Sequence, residues 1–246
     1  MGGRTPEAAA ESSLPAGARA GLASVSPIPA PVAHRPLLQA FTTIWLIRHA
    51  EVDARYQGVF GGQIDMPLSP RGHEQAVQLA RYLHHWKFDA LYASPMLRVQ
   101  QTLTPWLANS APKPTLIPEL REVHFGDWTG LNWDQVLARF GVHVSAWLTE
   151  LDRGAIPNAE SGAALRARTE PCLRRILAAH PGQQVALACH GGVIRMLLSI
   201  LLGWPLPQWA AVEIDYASIT QVRCNPTEAK LQLLNFAPWR VGRADG

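Results

Sequence analysis

Cysteine is scarce in this chain: Cys172, Cys189 and Cys224 are the three among 246 residues. Their number is odd and their spacing is not that of metal ligands, which points to reduced, unpaired thiols in a cytoplasmic protein. Long apolar runs are missing as well. Val193 to Leu202 is broken by Arg195 and ends at Gly203-Trp204-Pro205, short of the roughly 20 residues that a bilayer span needs. Excess charge of one sign is absent. A net charge of +3, with 17% charged residues and no basic stripe, gives no reason to expect nucleic acid or a membrane surface as partner. There is no internal repeat. No carboxylate cluster offers a metal ion a home, so neither metal nor cofactor is expected.

Aromatic residues are missing from the first 40 positions, of which Ala, Pro, Ser and Gly make up 24. Such a stretch cannot bury enough surface to offset its ordering entropy. It is expected to be a disordered extension (1–40) ahead of a folded domain (41–246). A targeting peptide is the weaker alternative, since there is no apolar h-region and Glu7 and Glu11 interrupt the segment.

What is present is an alternating pattern in a chain that is 48% hydrophobic, enough for one sizeable core. Residues 43–47 (TIWLI) read as a strand, followed by a loop through Gly58, Gly61 and Gly62. Ser69-Pro70 reads as a helix start, with Ala76, Leu79, Ala80 and Leu83 at helical spacing. Phe88 to Tyr92 reads as a second strand, and Ser94-Pro95 as the cap of a helix to about Leu107. Leu116 to Leu120 reads as extended. A long helix is expected from about Ser161 to Ala179. Ala211 to Ile214, Ile219 to Cys224 and Leu231 to Leu234 read as closing strands. Strands alternating with helices predict a three-layer α/β/α sandwich on a mostly parallel sheet. Residues 123–160, with short helices bearing Trp128, Trp133 and Trp147, are expected to lie over the active-site edge. Those tryptophans read as core more than as a substrate platform.

Two segments share one local design. LIRHAE (46–51) and ALACHGGVIR (186–195) each carry an apolar run that delivers a histidine, His49 or His190, to the end of a buried strand. Carboxyl ends of parallel strands are where open α/β sheets place ligands. Arg48 stands beside the first histidine, and Gly191-Gly192 open a helix after the second, a setting suited to an anion. Arginine, paired imidazoles and helix-start amides describe a phosphate site.

Five separated motifs in order extend this reading: LIRHAE, GGQIDMPLSPRG (61–72), SPMLRVQQT (94–102), LREVHFGDWTG (120–130) and ACHGGVIR. The chain resembles the histidine phosphatase superfamily, in its phosphoglycerate-mutase-like branch, over essentially all of residues 43–240. That resemblance implies His49 as the nucleophile and Arg48, Arg98 and His190 as donors to the phosphoryl group, with Gly191 admitting backbone N–H groups. It implies Glu122 as general acid and then base, with Glu119 and Asp127 as neighbouring alternatives. His124 either lines the pocket or caps a turn. Metal-independent chemistry through a phosphohistidine follows, on a small phosphorylated metabolite.

The chain departs from the family pattern at Ala50 and Val52, at Ala159, and at Arg55, which stands where many members place an asparagine. Arg55 is expected to hold a second negative charge on the substrate, or to face solvent. A cofactor-dependent phosphoglycerate mutase is the second reading. Between Leu131 and Pro157, however, there is no lysine, and the only arginines are Arg139 and Arg153. A weakly catalytic phospho-ligand module is the third, disfavoured because nucleophile and acid are both present. The loop GVFGGQIDMPLSPRG and the terminal LLNFAPWR are most similar to α-ribazole phosphatases.

Overall fold

The computed structural model describes residues 40–108 and 111–241; apart from Ala40, the expected extension over 1–40 lies outside the described residues. The first strand, β1 (Thr42–Arg48), is nearly continuously apolar and ends at the first histidine. Ser69 accepts from Gly72 N and caps α1 (Pro70–Leu83), whose first residue is proline, as the sequence signals require. There follow β2 (Ala90–Ala93), α2 (Leu97–Leu107) and β3 (Pro114–Leu116). The aromatic-rich stretch forms α3 (Trp133–Phe140), with an Asn132–Gln135 capping box, and α4 (Trp147–Arg153). Ser161 caps the long α5 (Gly162–Ala179). Then come β4 (Gln184–Cys189), α6 (Gly191–Leu202), β5 (Ile219–Cys224), β6 (Ala229–Phe236) and a terminal turn of helix, α7 (Pro238–Val241).

The six strands form one sheet in the order β3-β2-β4-β1-β5-β6. β1, β2, β3 and β4 run parallel, while β5 and β6 are antiparallel at one edge. Successive β1 residues feed opposite faces. Ile44 and Leu46 join Val185 and Leu187 against α5 and α6, whereas Trp45 and Ile47 join Ala186 and Ala188 against α1 and α2. A strand buried on both faces needs apolar residues throughout, so these runs show no alternation. The architecture is a three-layer α/β/α sandwich with a mostly parallel sheet.

Three local expectations differ from the structure. Ala211 to Ile214 is not a strand, because a 3-10 helix over Leu206–Ala211 leads into an irregular segment. Leu116 closes β3, and Pro118–Leu120 is a 3-10 turn. Ser94 does not cap α2, whose N-cap is Met96 with no side-chain bond. Among the described residues, no helix is long and apolar enough to cross a membrane.

Candidate active site

The sheet register sets the site. Arg48 on β1 pairs with Cys189 on β4, so the next residues, His49 and His190, leave adjacent parallel strands side by side. Their ring centroids are 5.2 Å apart. His49 lines an open cavity of about 240 Å³ together with Arg48, Arg98, Glu122, Gly191 and Gly192.

His49 Nδ1 lies 2.8 Å from Ala50 O. A carbonyl only accepts, so Nδ1 carries the proton and Nε2 keeps its lone pair. Burial, and then the charges of Arg98 and Arg48, push its pKa well below the usual histidine range. The ring is therefore a neutral imidazole with a bare Nε2 at neutral pH. Ala50 also donates its N–H to Thr102 Oγ1 at 2.8 Å, and Val52 lines the cavity. Neither Ala50 nor Ala159 has a positive φ, so neither departure from the family pattern strains the backbone.

Arg48 donates through Nη1 to Ile214 O and stacks on Tyr216, 4.2 Å from the ring centroid. Its Nε is buried without a hydrogen-bond partner. Leaving a buried donor unpaired typically costs about 1–3 kcal/mol, and an anion in this cavity would remove that cost. Arg98, in the first turn of α2, is 1% exposed. Its Nη1 and Nη2 donate to Ile64 O and Gly62 O, both at 2.9 Å. Burial lowers its pKa to about 10, which leaves it a cation at neutral pH.

His190 lies deeper than His49. It is 0% exposed and is not among the residues lining the cavity. Arg98 Nε donates to its Nδ1 at 3.2 Å, which places the ring proton on Nε2, 2.8 Å from Ser94 Oγ. Burial and the neighbouring Arg98 hold it well below the usual histidine range. Both ring nitrogens thus have protein partners, and the ring bridges Ser94 and Arg98.

Glu122 accepts from Val123 N at 3.0 Å and from Gly192 N at 3.4 Å. A Cβ at position 192 would lie 2.7 Å from Glu122 Oε1, so only glycine admits the carboxylate this close to α6. Glu119 instead pairs with Arg175, and Asp127 accepts from Asn158. Neither lines the cavity. His124 caps a turn, accepting from Gly126 N at 3.3 Å.

Arg55 takes the second of its two expected placements. Its side chain is 66% exposed and pairs with Asp53 at 3.2 Å, and it does not line the cavity. Arg55 is the middle residue of a 3-10 turn over Ala54–Tyr56, which directs it to solvent while its neighbour Tyr56 lines the cavity.

Four contributors escaped the sequence reading. Ser94 was taken for a helix cap. Arg195 lines the cavity and donates to Trp209 O, Gly191 O and Val212 O; its position one helical turn after Gly191 was a usable signal. Tyr216 sits on an irregular segment with no pattern to mark it. Phe60 joins Phe125, Trp133 and Trp147 in an aromatic wall of the cavity. Trp128 alone among the three tryptophans of the insert is fully core, at 1% exposed. Among the described residues, no three His, Cys, Asp or Glu side chains converge as metal ligands would.

A family model for the histidine phosphatase superfamily (branch 1) matches residues 44–237. The chain is 30% identical over 192 residues to the adenosylcobalamin/alpha-ribazole phosphatase of Escherichia coli strain K12, covering 78% of this chain and 95% of that protein. It is 29% identical over 186 residues to a glucosyl-3-phosphoglycerate phosphatase of Mycobacterium tuberculosis, covering 72% and 83%. The alpha-ribazole phosphatase structure from Shigella flexneri superposes with a TM-score of 0.69 at 30% identity, covering 79% of this chain and 96% of that one. The native structure of mycobacterial glucosyl-3-phosphoglycerate phosphatase gives 0.71 at 27%, covering 78% and 98%. The chain belongs to the histidine phosphatase superfamily, branch 1, and is a phosphatase.

Proposed function

We propose that this phosphatase hydrolyses a small phosphomonoester by way of a phosphohistidine at His49, without a metal ion. The observation that carries the reading is the tautomer of His49, whose bare Nε2 serves a cavity that also holds the partnerless Arg48 Nε. In the first step Nε2 attacks phosphorus in line, the P–O bond to the leaving group breaks, and Glu122 gives that oxygen its proton. In the second, Glu122 takes a proton from water, whose oxygen displaces His49 and releases phosphate. Charge spreads over the equatorial oxygens during each transfer. Arg48, Arg98 and the amides opening α6 supply the fixed positive potential that this requires.

Hydrolysis is favoured over the mutase reading by the walls of the site. A mutase must hold a second anionic group of its substrate, yet Arg139 and Arg153 are exposed and neither lines the cavity. Arg195, the remaining lining cation, is held by the Trp209, Gly191 and Val212 carbonyls beside the start of α6, close to the phosphate end of the site and not at a separate subsite for a second anionic group. The wall of Phe60, Phe125, Trp133 and Trp147 suits a flat, apolar leaving group. It supports a phosphate ester of an aromatic base nucleoside, α-ribazole phosphate among them, over phosphoserine or a sugar acid.

The test is a panel of p-nitrophenyl phosphate, α-ribazole phosphate, phosphoserine and 3-phosphoglycerate. Stacking contributes about 1–3 kcal/mol per base, so kcat/KM should be roughly tenfold or more higher for the aromatic ester than for phosphoserine. Equal turnover of the two would reject the substrate assignment. Isomerisation of 3-phosphoglycerate faster than its hydrolysis would reject the phosphatase reading in favour of the mutase.

A further inference from the structure

We infer that the C-terminal LLNFAPWR segment (233–240) is a clamp that sets Arg48 on the phosphate, with Asn235 as its positioning residue; this rests on the phosphate-binding role proposed for Arg48. The segment from Ile214 to Ala217 meets the active site at three points. Ile214 O accepts from Arg48 Nη1. The Tyr216 ring lies under the Arg48 guanidinium and has its centroid 5.6 Å from that of His49. Ala217 donates its N–H to His49 O at 3.0 Å. This segment is neither helix nor strand, so its own backbone does little to fix it.

The clamp supplies what is missing. Asn235 Oδ1 accepts from Asp215 N at 2.6 Å, and Asn235 Nδ2 donates to Asp215 Oδ2 at 2.7 Å. Arg240 closes on the same carboxylate at 2.8 and 2.9 Å. Trp239 Nε1 donates to Tyr216 O at 2.8 Å. Three side chains of one short motif thus grip the two residues, Asp215 and Tyr216, that lie between Ile214, the carbonyl acceptor of Arg48, and Ala217, the donor to His49 O.

The backbone is shaped for this grip. Ile219 pairs with Phe236 but Gln221 pairs with Leu233, so β6 carries an extra residue there, a bulge of the kind that re-aims side chains beside active sites. Asn235 within it has φ +52°, a left-handed conformation that asparagine tolerates and glycine prefers. Such strain persists where the surroundings over-determine it, and here both ends of the amide are bound to Asp215. An arginine that binds an anion through a planar fork must be placed to within a fraction of an ångström.

The test uses Asn235→Gly in the full chain, because glycine keeps the left-handed backbone while removing both amide contacts. KM for p-nitrophenyl phosphate and the affinity for inorganic phosphate, read by calorimetry, should each weaken about three- to tenfold, the scale of a lost hydrogen bond. In an Arg48→Lys background the same change should add nothing, because its effect runs through Arg48. Unchanged phosphate affinity in Asn235→Gly, or an equal factor in both backgrounds, would overturn the clamp. If that variant does not fold, Trp239→Phe removes only the bond to Tyr216 O and is read by the same two measurements. Calorimetry reads the clamp even in a chain without turnover, so failure of the hydrolase reading stays distinguishable.

Discussion

Ser94 Oγ lies 2.8 Å from His190 Nε2 and accepts the N–H that Arg98, by donating to Nδ1, leaves on that nitrogen. Three residues from three different strand and helix ends therefore form one chain, Ser94 to His190 to Arg98. All three are buried. The serine that looks like a helix cap in sequence acts on the phosphate site at one remove.

Ser94→Ala should strand the Nε2 proton in an apolar pocket and favour the tautomer that opposes Arg98 Nε–H. An unpaired buried donor costs about 1–3 kcal/mol, so kcat/KM for p-nitrophenyl phosphate should fall about fivefold to a hundredfold, with weaker inhibition by phosphate. Steady-state kinetics decides this. A value within twofold of wild type would show that Ser94 only fills space.

Glu122→Gln should slow alkyl phosphates far more than p-nitrophenyl phosphate, whose phenolate leaves with little protonation. General acid catalysis typically contributes about 10²–10⁴-fold, and that loss should appear on the alkyl ester. Gly192→Ala should give a similar, milder pattern, since its Cβ would meet Glu122 Oε1 at 2.7 Å. Equal losses on both substrates would make Glu122 a positioning group.

The sequence made the frame legible where local physics decides it. Continuous apolar runs marked β1 and β4, and Ser69-Pro70 marked the start of α1 because a cap bond and a missing N–H act within four residues. His49, Arg48 and Glu122 were legible as candidate site residues through their motifs, and all three line one cavity. What stayed hidden depends on distant partners. Arg48 meets a carbonyl 166 positions away, and His190 meets an arginine 92 positions away. Arg98 was legible as a phosphate donor through its motif, but nothing local shows its burial, which rests on the Gly62 and Ile64 carbonyls. For Arg55 the choice between substrate and solvent stayed open, because nothing local shows that its turn points away from the cavity.

Arg55→Asn tests that placement. Exposed ion pairs contribute about 0–1 kcal/mol, so kcat/KM should stay within about fivefold of wild type on monoanionic and bisphosphate substrates alike. A selective loss on the bisphosphate would return Arg55 to the substrate site.

The pH profile follows from the two histidines. Burial, reinforced by Arg98, holds both well below the ordinary value near 6.5. The acid limb of kcat/KM should therefore fall below pH 6.5, since the nucleophile is already neutral there. Stability carries the same sign. Above that pH, folded and unfolded chains both hold neutral imidazoles; below it the unfolded chain takes up protons first, so stability is lost as pH falls towards the folded values. The slope should approach roughly 1.4 kcal/mol per pH unit for each histidine, readable by urea titration. An acid limb at or above pH 6.5 would contradict a neutral His49.

The central claim is covalent, and one measurement reaches it most directly. The enzyme is mixed with phosphate-labelled substrate, quenched within milliseconds, and tested for an acid-labile, base-stable phosphoryl group by peptide mapping. The label should sit on the peptide containing His49, appear before steady state and be absent from His49→Ala, which should also lose turnover. Normal amounts of phosphohistidine in His49→Ala, or turnover with no phosphoenzyme in the wild type, would contradict the mechanism.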